Sequence, residues 1–163
     1  MSVTPVDLQR EVEGFVYREG YLQDCHEYDA WEALWTDDGV YWIPANGNEI
    51  DPEREMSIIY DNRSRIALRI RQLHTGRRLS QEPKSNLVRV ISNVEVSNNN
   101  ETAGEIQVRA NAIIFESTAR RDTLWGTRSE YLLRRMDGTL RMARKKVMLV
   151  NNSKALPTLS FLI

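Results

Sequence analysis

The chain has 163 residues, 41% hydrophobic and 28% charged, with a formal net charge of -1. That is the make-up of an ordinary globular domain, long enough to bury roughly 68–70% of its unfolded surface without a staple, and too neutral for a nucleic-acid surface to be its main business. Cys25 is the one cysteine, so an internal disulfide is excluded; no basic-then-apolar leader opens the chain and no apolar run approaches membrane-span length, which together predict one domain over residues 1–163, cytoplasmic, without a membrane contact.

In chain order, Thr4 is an N-cap with Pro5 at the first helical position and Asp7 in the first turn. Leu8, Val12, Phe15 and Leu22 keep helical spacing, so the N-terminal helices span about residues 5–35, with a break near Asp24 to Glu27. Trp31, Leu34 and Trp35 then share one face of a short helix, Asp37-Asp38-Gly39 supplies turn chemistry that ends it, and Val40 to Ile43 form a strand over about 40–44 that Pro44 closes. Ala45 to Glu55 is a polar loop. Ser57 to Tyr60 is a short apolar run, after which Asp61 caps a helix over about 61–74 with Ile66, Ile70 and Leu73 buried and Gly76 past its end.

From Leu87 the period changes from helical to alternating. Leu87–Val96, Glu105–Thr118, Leu124–Met136 and Leu140–Val150 are four successive strands of an antiparallel meander over about 87–150. Asn98-Asn99-Asn100, Arg120-Arg121-Asp122 and Asp137-Gly138 are its turns, the last a strong two-residue hairpin signal. The C-terminal tail 156–163, Leu-Pro-Thr-Leu-Ser-Phe-Leu-Ile, is apolar enough to require a docking surface. Helices followed by a meander make the class α+β.

The chemistry-bearing residues are few. A zinc or Rieske-type site needs clustered cysteine and histidine, which Cys25, His26 and His74 do not supply. Nothing ties the two histidines to a carboxylate in a facial triad; His26 reads as a solvated bend residue and His74 as a helix C-terminal cation. Cys25 and His26 are adjacent and would point about a hundred degrees apart on a helix, which disfavours a thiolate pair. No phosphate loop, dinucleotide fingerprint or nucleophile elbow is present. Arg63, Arg65, Arg69, Arg71, Arg77 and Arg78 suit protein-to-protein ion pairing or a plain solvated face, because no aromatics interleave them for base stacking. Trp31, Trp35, Tyr41 and Trp42 divide between core packing and interface anchoring.

Five blocks in order carry a resemblance: W-E-A-L-W-T-D-D-G-V-Y-W-I-P from Trp31 to Pro44, R-E-M-S-I-I-Y-D-N-R from Arg54 to Arg63, R-I-R-Q-L-H-T-G from Arg69 to Gly76, S-Q-E-P-K-S from Ser80 to Ser85, and R-V-I-S-N-V-E-V from Arg89 to Val96. Together they resemble the small (beta) subunit of bacterial aromatic-ring-hydroxylating dioxygenases, the Rieske non-haem iron oxygenases. The resemblance implies a nuclear-transport-factor-2-like (NTF2-like) cone, with helices packed in a strongly curved, mostly antiparallel sheet. It implies a non-catalytic, structural chain, with no catalytic, cofactor-binding or metal-binding residue of its own. The partner is then a large (alpha) subunit holding a Rieske cluster (2Fe-2S) and a mononuclear iron, fed with NAD(P)H-derived electrons through a reductase. Further copies of the chain complete a hetero-hexamer of three large and three small subunits. The loop 45–55 and the helix 61–73 are the expected contact surfaces, and D-P-E-R-E-M-S-I-I-Y suggests a carboxylated ring, such as a benzoate relative, as the substrate held by the other chain.

The cone also resembles that of scytalone dehydratases and ketosteroid isomerases, stand-alone lyases and isomerases that work inside it. Proton transfer there needs an acid or base with a tuned pKa in an apolar pocket. The isomerases place an aspartate directly before the proline of a comparable stretch, where this chain has Ile43. Tyr17, Asp29 and His74 are the residues left for a dehydratase-like pocket. A free binding module dimerising through its sheet is a third reading, which explains the aromatics and the tail but not the motif order.

Overall fold

A computed structural model describes residues 4–76, 84–100 and 102–163. Helix α1, Pro5–Asp24, begins as its first turn dictates: Thr4 Oγ1 accepts from the Asp7 N–H at 3.1 Å, and Pro5 has no N–H to leave unpaired. Its buried stripe is Leu8, Val12, Val16, Glu19, Leu22 and Gln23, with Phe15 only half-buried. It stops where His26 takes a left-handed backbone, φ 56°. The short helix α2, Tyr28–Glu32, follows.

Strand β1 runs Trp35–Pro44 and corrects the expected helix-turn-strand. Trp35 already lies in the sheet, paired with Met142, and Asp37-Asp38-Gly39 form a bulge within the strand before pairing resumes at Val40 opposite Arg144. Turn-forming residues suit a bulge equally well, since both need a local break in the ladder. Gly39 is required there: a Cβ on it would meet the Trp35 ring at 2.7 Å. The side chains are re-aimed by the bulge, so that Thr36 Oγ1 donates to Asp38 Oδ1 at 2.7 Å and Asp38 reaches Arg134.

Strand β2, Ser57–Asp61, pairs antiparallel with β1. Helix α3, Arg63–His74, is capped by Asn62, whose Oδ1 accepts from the Arg65 N–H at 3.0 Å, and not by Asp61. Asp61 ends β2 and binds Arg69 instead. Ile66, Ile70 and Leu73 are buried as expected, and Gly76 past the end has φ 62°.

Strands β3, Asn86–Asn100, β4, Glu105–Ser117, β5, Asp122–Met136, and β6, Thr139–Leu149, form the meander. The sheet order is β2-β1-β6-β5-β4-β3, antiparallel except for the parallel pair β1–β6, and it does not close. Asn98, Asn99 and Asn100 are not a turn: they pair with Gln107, Ile106 and Glu105, so β3 runs longer than the sequence suggests. Asp137-Gly138 is the expected hairpin, with positive φ at both residues.

One face of the sheet is the core. Ile106, Val108, Ala110 and Ile114 on β4, Trp125, Tyr131 and Leu133 on β5, and Met142, Val147 and Leu149 on β6 pack toward α1, α2 and α3. Trp31, Trp35 and Tyr41 join them as an aromatic trio with ring centroids 5.5–5.8 Å apart, Trp31 edge-on to both others and Trp35 tilted against Tyr41. The apolar tail docks on its own chain. Phe161, Leu162 and Ile163 are buried; Phe161 packs edge-on against Trp125, and the Tyr41 hydroxyl donates to the Ile163 carbonyl at 2.5 Å and accepts from its N–H at 3.1 Å.

Phe161→Ala removes a buried ring from this seal and is expected to cost about 3–5 kcal/mol. Urea unfolding of the variant beside the parent measures it; a change below about 1 kcal/mol would show the tail to be loosely laid on the surface.

Candidate functional site

The concave interior of the cone is the place to look for chemistry, because it collects side chains from every layer. Glu19 projects into it from α1 at the one charged position of that helix's apolar stripe. Its Oε1 accepts from Lys145 Nζ at 2.7 Å and from Trp31 Nε1 at 2.9 Å, and its Oε2 accepts from the Tyr131 hydroxyl at 3.2 Å. Glu19 is 1% exposed and Lys145 2%. Burial pushes the Lys145 ammonium below the usual lysine range, opposed by the Glu19 charge, and holds the Tyr131 hydroxyl well above the usual tyrosine range. Tyr131 therefore remains a donor at every physiological pH.

Two further groups complete the lining. Arg89 on β3 donates from Nε to Asp24 Oδ1 at 2.7 Å, from one terminal nitrogen to Gln23 Oε1 at 2.7 Å, and from the other to the Leu162 carbonyl at 3.3 Å. Glu116 on β4 is buried and accepts from Ser85 Oγ at 2.6 Å, Ser160 Oγ at 2.9 Å and Trp125 Nε1 at 3.2 Å. The space left among Glu19, Arg89, Tyr131, Lys145 and Ile163 is about 20 Å³. That holds about one water molecule and no ring-sized substrate.

The residues weighed for a dehydratase-like pocket are not gathered there. Tyr17 is 49% exposed on α1, while Asp29 and His74 make a 2.7 Å contact with each other on the surface. Ile43 is fully buried in the core, so the position of an isomerase base is packing. His26 is half tied down rather than solvated: its Nε2 lies 2.7 Å from the carbonyl oxygen of buried Ser85. Cys25 is exposed. Among the described residues, no group of three or more histidine, cysteine, aspartate or glutamate side chains converges as a metal site, and no helix is long and apolar enough to cross a membrane.

The arginine series divides. Arg63 and Arg69 are used inside the chain, by Glu32 at 2.8 Å and Asp61 at 2.7 Å, whereas Arg65 and Arg71 are exposed on α3. Arg77 and Arg78 lie outside the described residues, as do Ser80 to Pro83. On the outer sheet face Trp42 is 4% exposed, with Lys146 Nζ 4.6 Å and Arg144 Cζ 5.3 Å from its ring, and its Nε1 donates to Ser57 Oγ at 2.9 Å. At the β1 bulge Arg134 bridges Asp38 and Glu105, and its hydrogen bond holds the Asp38 carboxyl below the usual carboxylate range.

Glu19 and Lys145 are the residues that sequence reading missed. The signal was present as a charge inside an apolar period: Glu19 stands in register with Val12, Val16 and Leu22, and Lys145 alternates inward with Val147 and Leu149.

Residues 18–154 match the family model described as the ring hydroxylating beta subunit. The chain is 28% identical over 141 residues to the small oxygenase component of the p-cumate 2,3-dioxygenase system of Pseudomonas putida, covering 85% of this chain and 77% of that one. It is similar to the crystal structure of the beta subunit of benzoate 1,2-dioxygenase from Burkholderia mallei, with a TM-score of 0.74, 25% identity and coverage of 93% and 94%. A chain assigned as a scytalone dehydratase, from Novosphingobium aromaticivorans, shares the fold alone, with a TM-score of 0.67 at 16% identity and coverage of 92% and 89%.

The buried pair gives a stability prediction. Lys145→Met leaves the Glu19 carboxylate without its cation and is expected to cost about 3–5 kcal/mol in denaturant unfolding. Glu19→Gln with Lys145→Met removes both charges, keeps an acceptor for Trp31 while its amide N–H can donate to the Tyr131 hydroxyl oxygen, and is expected to recover most of that loss. A double variant as unstable as the sum of the two singles would show that the charges are not coupled.

Proposed function

The chain belongs to the ring hydroxylating beta subunit family, and from that premise we propose that it is the structural small subunit of an aromatic-ring-hydroxylating dioxygenase, an oxidoreductase whose large subunit carries the iron. The observation that carries the structural role is the filled cone. Where a stand-alone lyase or isomerase of this shape needs room for a substrate, this interior holds the Glu19–Lys145 pair, Tyr131 and the tail, with about 20 Å³ to spare. A buried acid and base with no space for a reactant beside them cannot transfer a proton to one. The alternative of a cone-fold dehydratase or isomerase therefore loses both its base, at Ile43, and its pocket.

The finer reading follows the family. The large partner holds a Rieske cluster and a mononuclear iron and receives NAD(P)H-derived electrons through a reductase. Three large and three small chains form the complex, in the cytoplasm, and no residue of the small chain touches substrate, cofactor or metal. Residues 1–163 act as one domain. The ring oxidised is a carboxylated one, in keeping with the p-cumate and benzoate named for two relatives. This chain contributes outer surface: the exposed loop 45–55, and α3 with Arg65 and Arg71 available for carboxylates of a partner.

Co-expression with a candidate large subunit is expected to give a mixed complex by native mass measurement, with all iron in the large chain and ring oxidation only in the complex. Stoichiometric iron in this chain alone, or a small chain that stays monomeric beside its partner, would refute the reading. Trp42→Ala breaks the stacked Lys146–Trp42–Arg144 arrangement and is expected to cost about 3–5 kcal/mol of stability or to lower assembly yield. The oxidised product should not change; an altered product pattern at normal assembly would place this chain at the substrate.

A further inference from the structure

A crevice separate from the filled interior lies where β2, α3 and the C-terminal tail meet. Six of its seven lining residues are apolar, among them Ile58 of β2, Leu73 of α3, and Leu159 and Phe161 of the tail; the seventh is Arg69 of α3. Its volume is about 200 Å³, against about 20 Å³ inside the cone. The helical period places the arginine at this wall. Arg69 stands three residues from Ile66 and four from Leu73, both buried, so its stem runs along the apolar stripe of α3 and its charged end emerges at the stripe's edge.

The guanidinium is anchored but not used up. Arg69 Nε donates to Asp61 Oδ2 at 2.7 Å, and Asp61 is 6% exposed. Among the described residues Arg69 makes no second ion pair. A guanidinium has five N–H donors in a planar fork, so four remain on the two terminal nitrogens. The side chain keeps 21% of its exposure and lines the crevice, which leaves the fork open to an incoming group. The Asp61 bond holds it by one edge, so little side-chain freedom is left to lose when something binds the other. The other arginines of α3 differ: Arg63 spends a terminal nitrogen on Glu32, and Arg65 and Arg71 do not line the crevice.

We propose that this crevice is a binding site for a small carboxylate with an apolar body of about one six-membered ring, its carboxylate on the terminal nitrogens of Arg69 and its ring among Ile58, Leu73, Leu159 and Phe161. The size fits, since an apolar cavity of about 150 Å³ is enough to hold benzene. The charge fits as well. A carboxylate accepts from a guanidinium through two parallel charge-assisted bonds, about twice as strong as neutral ones, and no acidic residue lines the crevice to oppose it. Arg69 stays protonated, and the lining offers no other acid, base or nucleophile, so the site binds its ligand without transforming it. Because the tail forms one wall, a bound ligand bridges it to β2 and α3, and binding and docking of the tail reinforce each other. The site lies within one chain and does not depend on the subunit reading.

Titration calorimetry on the full chain tests this, with benzoate as the probe and circular dichroism melting as the check on folding. The parent is expected to take up one benzoate per chain with a Kd of about 0.1–1 mM. Benzamide, which has the same shape without the charge, should bind at least about tenfold more weakly. Ile58→Trp, at a half-buried position on the edge strand, fills the crevice and is expected to abolish binding. Arg69→Met with Asp61→Asn removes both members of the ion pair, strands neither charge, and should weaken benzoate at least about tenfold. Where that double variant does not fold, Ile58→Trp decides. Amide shifts on adding benzoate should move at Ile58, Arg69 and Phe161. No binding by the parent up to about 10 mM, benzamide binding as tight as benzoate, a folded crevice or arginine variant with the parent's affinity, or shift changes that map elsewhere would each overturn the proposal.

Discussion

One carboxylate holds the layers of this protein together. Glu19 comes from α1 and accepts from Lys145 on β6, Trp31 on α2 and Tyr131 on β5, so a single side chain ties two helices to the two central strands of the sheet. An ion pair this deep adds little net stability over an apolar pair of the same volume, because desolvation offsets most of the attraction. What it supplies is geometry. Each donor must reach one of two oxygens, which fixes how far α1 lies from the sheet and which way α2 turns. The hydrogen bonds around it leave neither oxygen of the carboxylate idle.

That constraint decides what the cone can be. Folds of this shape can host a reaction because a helix layer held off a curved sheet leaves a cavity. Here the cavity is closed from the inside by Glu19 and Lys145 and from the open end by Phe161, Leu162 and Ile163. An interior filled in this way has no room for a ring-sized reactant beside the buried pair, which turns attention to the exterior of the chain. The interior arginine Arg89 and the acid Glu116 illustrate the difference: both are charged and buried, and each is spent on the chain's own helix end or tail.

Much of this fold was legible in the sequence, for reasons that can be named. The meander strands announced themselves by alternation, the α1 cap by Thr4-Pro5-Val6-Asp7, and the last hairpin by Asp137-Gly138, because each is a local signal. The errors came where one residue type serves two local structures. Asp37-Asp38-Gly39 suits a turn or a bulge, and only the nonlocal pairing with β6 decides for the bulge. Asp61 and Asn62 are both good caps, and the nearby Arg69 takes the first for itself. Three asparagines read as a turn until β4 paired with them. The interior network was the hardest to see, since its members are separated by 126 residues between Glu19 and Lys145, and no pattern of spacing links them. The family motifs were legible because they are strings; the filling of the cone was not, because it is a contact.

The parallel pairing of β1 with β6 sets an order on folding. Every other ladder joins neighbours in sequence, but Trp42 must find Lys146 across a loop of roughly a hundred residues, which is the kind of closure that slows folding most. The β1–β2 hairpin can form early, yet its aromatic edge stays open until β6 arrives. During synthesis the edge strand and Tyr41, Trp42 and Ile43 are therefore the sticky, unfinished part of the nascent chain, and completion of the cone is a late event that follows translation of the last strand.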